Sequence, residues 1–377
     1  GTESQSEAER LVLAVVARWK AKVEAHRTGS QAALEELAEE WAEDYQRALH
    51  DEELTSVYDD ILEEKTITLR RSSPDRADAF KKIVHGETVA LASHIEEWLA
   101  ASDNEPKTID MKRSDVTRFV HDFPYAHQVN KKAVERWVHE RRQKDRIKAG
   151  TAGRWMSHCR SYWAYLNRAG LINREDNCFS GVVEMRSKKS KAAATDERRA
   201  FEPAELVTLW RCAGAKRDVQ LQNLIWLGMW TGCRIEEMCS LRTDEVSDGL
   251  LTIVDAKTRA GNRTVPVHPA LAPALADWCS TSSDGYVLSD LSRNKYGGRS
   301  NAIGKRFGRL KKEMGFGSVY VFHSVRKTVT TLLENAGVPE NITADILGHD
   351  KPTMTYGIYS GGASIDVKRA AIEKLSY

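Results

Sequence analysis

Only one short stretch of this sequence has the residue pattern of β-strands, and it lies in the second half of the chain. The runs LLTIVDA and RTVPVH are rich in β-branched residues, and the turn-like segment KTRAGN separates them. This arrangement predicts a small antiparallel hairpin or meander. Helical periodicity fills most of the remaining sequence. We therefore predict a mainly α fold in which an α+β domain carries the small antiparallel sheet.

Charge and composition divide the chain into segments. Residues 1–86 carry 12 Lys/Arg against 19 Asp/Glu, residues 87–200 carry 22 against 16, and residues 201–377 carry 22 against 19. The most polar stretch, EMRSKKSKAAATDERRA, has the composition of a linker. We predict an acidic helical region at 1–86, a helical domain at 87–183, a basic linker at 184–200 and a mostly helical domain with the sheet at 201–377.

A single apolar stripe marks the acidic N-terminal region. Leu34, Leu37, Trp41 and Tyr45 recur at helical spacing. This pattern predicts the buried face of a small helical bundle, with a docking surface for a partner as the alternative.

Several protein classes are excluded by composition. No apolar run approaches the ~18–20 residues of a membrane span. The six cysteines are scattered without a Cys-x-x-Cys pair, so neither a zinc site nor a disulfide framework is indicated. We expect a reduced protein of the cytoplasm, without a membrane partner, a metal or another cofactor.

A basic helix is predicted in the middle of the chain. Residues 131–148 hold eight Lys/Arg against three Asp/Glu, a pattern typical either of a solvated face or of a surface that binds a polyanion backbone. Thr151 and Arg154 follow at the start of the next helix, where backbone amides and a cation can meet a phosphate. The candidate DNA contacts are Lys131, Lys132, Arg141, Arg142, Lys148, Thr151 and Arg154, with Lys188 and Lys189 in the linker.

The last third of the chain contains an ordered series of side chains that suit phosphate chemistry. They are Arg234 in TGCRIEEMCSL, Lys257 in AKTRAGNRTVPVH, His323 and Arg326 in FHSVRKT, His349 in ILGHD, and Tyr356 and Tyr359 in TYGIYS. Arginine forks match two phosphate oxygens, histidines donate or move protons, a lysine can protonate a leaving oxygen, and a tyrosine can attack phosphorus. The set needs no metal or nucleotide cofactor and points to cutting and rejoining DNA.

Each residue of the series can also have an ordinary structural role. Arg234 can form an ion pair with Glu237, His323 can cap a helix, and His349 can be a surface residue of a turn. The order and local context of the whole set favour the chemical interpretation.

The motifs resemble those of the tyrosine recombinases, the phage-integrase family. TGCRIEEMCSL is similar to the family's first arginine motif, KTRAGNRTVPV to its β-hairpin lysine motif, HSVRKT to its His-x-x-Arg motif and LGHD to its Leu-Gly-His motif. The resemblance implies phosphate binding by the arginines and histidines and a general acid at Lys257. Residues 87–182 resemble the family's helical core-binding domain more loosely, which implies a core DNA-binding domain.

The chain departs from the family pattern at the nucleophile. The family's common spacing from the histidine of the Leu-Gly-His motif falls on Ile358, which is flanked by Tyr356 and Tyr359. We choose Tyr359 as the catalytic residue, because the family's tyrosine usually ends the helix that leads out of this loop. Tyr356 is predicted to be a packing residue.

The resemblance implies a site-specific recombinase or integrase of a phage or other mobile element. It implies a 3′-phosphotyrosyl intermediate, strand exchange through a Holliday junction, a homo-tetramer on paired sites in duplex DNA, and a nucleoid location. An accessory DNA-bending protein is a further expected partner. The alternatives are DNA relaxation of the type IB topoisomerase kind, a DNA-binding regulator without catalysis, and a metal-dependent phosphoesterase, which lacks a supporting acidic cluster.

The two ends of the chain leave alternatives open. The amphipathic segment SIDVKRAAIEKLSY predicts a helix that packs on its own domain or, by the resemblance, docks into a neighbouring protomer. Many integrases of mobile elements begin with a small β-sheet domain, and residues 1–86 show no such strands. The chain lacks that domain, has lost it by truncation, or carries a helical element for protomer contact or autoinhibition.

Overall fold

The structure is a computed structural model that describes residues 31–173, 177–183, 198–254, 261–350 and 360–377. The chain divides into two compact units, with the division between Lys189 and Ser190. The described residues are mainly helical with one small sheet, which confirms the predicted fold class. The finer domain boundaries at residues 86, 183 and 200 stay predictions.

Among the described residues of the first unit, three helices come first in the chain. They are α1 (Gln31–Ala48), α2 (Glu52–Arg70) and α3 (Pro74–Val84). Asp51 caps α2, because its carboxylate accepts the backbone N–H groups of Glu53 and Leu54, which have no partner within the helix. Proline at the first position of α3 supplies a preset helical φ angle without losing a hydrogen bond.

The apolar stripe of α1 is buried within this bundle. Leu34, Leu37, Trp41 and Tyr45 belong to one hydrophobic core, which also contains side chains of α2 and α3. The ring of Trp41 meets Phe80 of α3 edge to face at 5.3 Å between centroids. The stripe therefore packs inside the unit, as its main interpretation predicted.

Four further helices follow among the residues that the structure describes in this unit. They are α4 (Ile95–Ala100), α5 (Pro106–Asp122), α6 (Lys131–Lys144) and α7 (Ala149–Arg168). Their shared core is aromatic, and Phe119 meets Trp137 edge to face at 5.5 Å. Asn130 caps α6 by accepting the backbone N–H of Ala133. Helix α7 begins at Ala149, two residues before the segment that the sequence predicts.

The second unit is built from eight helices and three strands among its described residues. They are α8 (Pro203–Ala215), α9 (Val219–Thr231), α10 (Ile235–Ser240), β1 (Val246–Ser247), β2 (Leu250–Ile253), β3 (Arg263–Pro266), α11 (Ala272–Ser280), α12 (Ser300–Glu313), α13 (His323–Asn335), α14 (Glu340–Leu347) and α15 (Ile365–Ile372).

The sheet is antiparallel, with the strand order β1-β2-β3. In the β2–β3 pair Thr252 lies opposite Thr264, and Ile253 lies opposite Arg263. Side chains alternate between the two faces, so Leu251 and Ile253 are buried while Thr252 is exposed. The predicted hairpin is confirmed, and its second strand begins with an arginine that contacts the candidate site.

Helix α9 is the central core element of the second unit. Leu224, Ile225, Leu227 and Met229 are all fully buried. Burial of each such side chain stabilises the fold by about 1.5–3 kcal/mol. This helix packs against α8 and α13, and it ends at the turn that leads into Arg234. The core therefore fixes the position of the first arginine motif.

Helix α15 packs within its own unit. Ala371, Ile372 and Leu375 enter the core of the second unit, and the hydroxyl of Tyr377 donates to the backbone carbonyl of Met229 at 2.7 Å. The helix contacts β3 and α14. The sequence left two placements open for this helix, and in the structure the helix packs on its own domain.

Within the described parts of the chain, no helix combines the length and the apolar character needed to cross a membrane.

Candidate active site

An open pocket of about 430 Å³ lies along α13 in the second unit. Its lining residues are Ala200, His323, Arg326, Lys327, Thr330, Thr331 and His349. Three residues that the sequence predicts for phosphate chemistry, His323, Arg326 and His349, therefore share one cavity. Helix α13 supplies the first two, and the turn after α14 supplies the third.

Arg326 is a buried arginine whose guanidinium is only partly hydrogen-bonded. Its exposed fraction is 3%, and Nη1 donates to the carbonyl of Gly232 at 3.1 Å. Its buried Nε and Nη2 atoms have no hydrogen-bond partner among the described residues. Burial and the charges of Arg234 and Arg263 lower the pKa of Arg326 to about 10. A buried cation with unused donors is costly unless an anion joins it.

The turn at Gly232 brings the first arginine motif against α13. Gly232 ends α9 in the left-handed conformation with φ +61°, which favours glycine. A Cβ at this position would lie 2.6 Å from Leu347 Cδ2 and 3.0 Å from Val329 Cγ1. Only glycine lets the chain pass this close to α13 and α14. The glycine of TGCRIEE is therefore required by both backbone conformation and space.

Arg234 lies at the N-cap of α10 and reaches toward the turn after α14. Its Nη2 donates to the carbonyl of Gly348 at 2.9 Å, and its Nη1 donates to Glu237 Oε1 at 2.6 Å. The ion pair with Glu237, which is the ordinary structural role open to Arg234, is therefore present. About a third of the arginine side chain, 36%, remains exposed. The contacts orient the guanidinium without covering it.

Two neighbours of the site are Arg263, which the sequence did not single out, and Glu237, which it named only as a possible ion-pair partner of Arg234. Glu237 accepts the backbone N–H of Arg234 at 2.8 Å and the side chain of Arg263 at 3.0 Å. Burial raises the pKa of Glu237, but the hydrogen bonds and charges of Arg263 and Arg234 outweigh it and leave the pKa below its usual value. The spacing of three residues from Arg234 is that of a capping box, which was the available signal for Glu237.

The pKa values of the two histidines lie below that of a free imidazole, which favours the neutral form. Burial and the charge of Arg326 lower the pKa of His323, and the same causes followed by Arg234 lower that of His349 to about 4. The backbone N–H of His349 donates to Ala344, which fixes the turn. His323 is the first residue of α13, and the N-cap position belongs to Phe322. Both imidazoles can therefore donate to a phosphate or take up a proton.

Two of the DNA-contact candidates in the first unit are engaged with acids. Arg154 donates to Asp115 through Nε at 2.9 Å and Nη2 at 3.2 Å, and Asp115 is 3% exposed. Arg141 donates through Nε to Asp122 at 3.2 Å, and the pKa of Asp122 is lowered to about 2 by its hydrogen bonds to Arg141, Trp137 and His121, against the effect of burial. These arginines stabilise the unit in addition to any contact with DNA.

The remaining candidates of the first unit lie at helix ends. Lys131 and Lys132 are exposed in the first turn of α6. Lys148 is the N-cap of α7, and Thr151 lies in its first turn, where its N–H donates to the Lys148 carbonyl. Arg142 is half-buried, and its Nε has no hydrogen-bond partner among the described residues.

Five of the predicted residues lie outside the described parts of the chain. They are Lys188, Lys189, Lys257, Tyr356 and Tyr359. Within the described parts no group of three or more His, Cys, Asp or Glu side chains is arranged to hold a metal ion.

Comparison with known proteins gives the same family for the second unit. The sequence profile of the Phage integrase family matches residues 200–363, which include all the predicted catalytic residues. Tyrosine recombinase XerC of Xylella fastidiosa (strain M23) is 26% identical over 214 residues, which cover 55% of this chain and 69% of that protein.

Solved structures show the same fold at low sequence identity. A lambda integrase dimer bound to a COC′ core site has a TM-score of 0.58 at 17% identity, covering 76% of this chain and 84% of that one. A lambda integrase tetramer bound to a Holliday junction also reaches 0.58, at 16% identity and with 74% and 81% coverage. The Tn1549 transposon integrase in complex with a circular intermediate DNA has a TM-score of 0.56 at 19% identity, with 76% and 99% coverage. Over residues 200–363 the chain is therefore similar to the phage integrase family, the tyrosine recombinases, and it shares the fold of the solved integrases.

Proposed function

We propose that the chain is a site-specific recombinase that holds a DNA phosphodiester in the pocket along α13 and attacks it with Tyr359. The observation that carries the proposal is the buried guanidinium of Arg326, with two donors unused in a pocket shared with His323 and His349. A phosphate oxygen is an acceptor of the required charge and geometry. The neutral histidines add donors without adding positive charge.

The proposed reaction is a transesterification at phosphorus. The phenolic oxygen of Tyr359 forms a bond to phosphorus while the bond to the 5′ oxygen breaks. Lys257 gives a proton to that oxygen, which leaves as a 5′-hydroxyl, and the tyrosine proton passes to a histidine or to solvent. Arg234 and Arg326 offset the charge that builds on the non-bridging oxygens. The 3′-phosphotyrosyl ester keeps the energy of the cut bond, so rejoining needs no ATP.

DNA binding is assigned mainly to the basic surface of the first unit and the linker. The exposed Lys131 and Lys132 at the start of α6 are suited to backbone phosphates, as are Lys148, Thr151 and the linker residues Lys188 and Lys189. Arg141, Arg142 and Arg154 are further candidates in the first unit, and Arg141 and Arg154 are already paired to acids. The catalytic domain then meets the cleaved phosphate.

The biological context is proposed from the similar proteins. A lambda integrase tetramer on a Holliday junction and a transposon integrase on a circular intermediate share the fold. They support strand exchange by a homo-tetramer through such a junction, on behalf of a phage or another mobile element. An accessory DNA-bending protein is part of the same proposal.

A suicide DNA substrate tests the reaction directly. The substrate carries a nick beside the candidate cleavage position, so that the cut fragment is lost and the covalent complex accumulates. We expect a denaturant-resistant protein–DNA complex that Tyr359→Phe abolishes and Tyr356→Phe retains.

Each other outcome has a definite meaning. Loss of the complex in Tyr356→Phe alone would move the nucleophile to that residue. Persistence of the complex in both single variants and in the double variant would refute tyrosine attack. Relaxation of supercoiled DNA without any exchange between partner sites would favour a topoisomerase.

A further inference from the structure

We propose that Arg263 is a positioning residue, which holds Arg234 and the turn before His349 in place at the phosphate pocket. The inference rests on the proposed function, since the pocket is the site at which the phosphodiester is bound. Arg263 lies at the first position of β3 and is outside the lining of the pocket itself.

The guanidinium of Arg263 joins separate segments of the chain. Its Nε donates to the carbonyl of Ile346 at 2.7 Å, and its Nη2 donates to Glu237 Oε2 at 3.0 Å. Its Nη1 donates to the carbonyl of Gly261 at 2.7 Å, and Nη2 also lies 3.3 Å from Cys233 Sγ. Its side chain is 4% exposed. A planar fork with five N–H groups can make these contacts at once, and an ammonium cannot.

These contacts close a ring around the arginine motif. Arg263 holds Glu237, Glu237 holds Arg234, and Arg234 donates to the carbonyl of Gly348. Gly348 lies two residues after Ile346, to which Arg263 itself is bound. Both carbonyls belong to the C-terminal end of α14, where the helix offers them no internal donor. The ring therefore fixes Arg234 and the His349 turn relative to each other.

The position of Arg263 in the sheet extends this coupling to the lysine motif. Arg263 pairs with Ile253 across the hairpin, and it lies six residues after Lys257 in the sequence. A displacement of the strand would therefore change the position of Glu237 and of the carbonyl of Ile346 together. We expect Arg263 to act on the rate of cleavage through these contacts, without touching the DNA.

The test replaces Arg263 by lysine, which keeps the charge but loses the fork. In the suicide-substrate assay at saturating DNA, we expect the rate of covalent complex formation to fall on the order of 10²-fold, as expected for misplaced catalytic groups. DNA affinity should be unchanged. A second substitution, Glu237→Gln, should add little to the loss in the double variant, because both changes break the same ring.

A second readout needs no DNA and follows the imidazole of His349 by NMR. In Arg263→Lys the turn that carries His349 is released toward water, so its pKa should rise toward the ordinary value. If the charge of Arg263 alone mattered, the lysine variant would keep the wild-type titration. This readout decides the role of Arg263 even if the wild type forms no covalent complex, which would refute the proposed function instead.

Arg299→Lys is the matched control. Arg299 is another buried arginine of the same unit, and it donates to the carbonyls of Cys239 and Leu288 away from the pocket. Equal effects of the two lysine variants on cleavage and on His349 would overturn the proposal. If Arg263→Lys does not fold, Arg263→Gln takes its place. If neither Arg263 variant folds while Arg299→Lys does, Arg263 is only a structural residue of the core, and the proposal is overturned as well.

Discussion

Replacing Arg326 by methionine is expected to stabilise the free protein while it abolishes cleavage. A fall of its pKa from the ordinary value of an arginine to about 10 corresponds to about 3 kcal/mol of unfavourable free energy in the folded state. Because the folded pKa is the lower one, this cost is present at every pH below about 10 and is relieved only as the pH rises above that value. The variant also leaves the Gly232 carbonyl without its donor, a loss of about 1 kcal/mol. The expected net gain is about 2 kcal/mol.

Amide hydrogen exchange of α13 measures this gain within the second unit, independently of the first. The matched control is Arg299→Met, because Arg299 is equally buried but forms an ion pair with Asp284 at 3.1 Å and donates to two carbonyls. Breaking such a paired network costs about 3–5 kcal/mol. Protection of the amides of this domain against exchange should therefore rise in Arg326→Met and fall in Arg299→Met.

The predicted loss of cleavage and of anion binding in Arg326→Met is tested with the suicide substrate and with inorganic phosphate. Loss of Arg326 should slow covalent complex formation by on the order of 10²–10³-fold, the usual effect of removing one donor to a developing oxyanion. Inorganic phosphate should raise the melting temperature of the wild type but not of the variant. If Arg326→Met destabilises the unit as Arg299→Met does, the charge of Arg326 is already compensated in the free protein and the reasoning is refuted.

Three further predictions follow from the same structure. The pKa of His349 falls from 6.5 to about 4 on folding, so between these pH values the unfolded chain binds more protons than the folded one. The wild type should therefore lose stability as the pH falls from 6.5 to about 4, and His349→Gln should make the melting temperature less dependent on pH in this range. Lys131→Gln should lower the salt dependence of DNA binding by about one phosphate contact at unchanged stability. Arg154→Gln should chiefly lower thermal stability, because the buried Asp115 loses one of its partners and keeps His158. Tyr377→Phe should reduce the protection of α9 amides by about 1 kcal/mol through loss of the Met229 hydrogen bond, and an unchanged exchange rate would contradict it.

Local sequence patterns predict much of the fold and the grouping of the site residues. The period of apolar residues predicts α1, and the two β-branched runs predict β2 and β3. The motifs around His323, Arg326 and His349 also predict that these side chains meet, and they line one pocket. Such features depend on residues close together in sequence.

Long-range partners were not predictable in the same way. Arg141 belongs to a run of basic residues and Arg154 follows it, and nothing local distinguishes an arginine that faces solvent from one that pairs with an acid. Their acids, Asp115 and Asp122, lie 39 and 19 positions away. Arg263 is a further case, because its partner Glu237 lies 26 positions earlier in another motif. Only the tertiary structure brings these charges together.

The ring through Glu237 and Arg263 has a consequence for the order of folding. Its members come from α10, β3 and the end of α14, so 114 residues separate Arg234 from the Gly348 carbonyl that it binds. Contacts of such sequence separation form late, after the loop-closure entropy of the intervening chain has been overcome. On the ribosome, a nascent chain that has emerged only as far as the hairpin cannot yet assemble the pocket. Under the proposed function, incomplete chains are therefore unable to hold a phosphodiester, and the ability to cut DNA requires the folded domain.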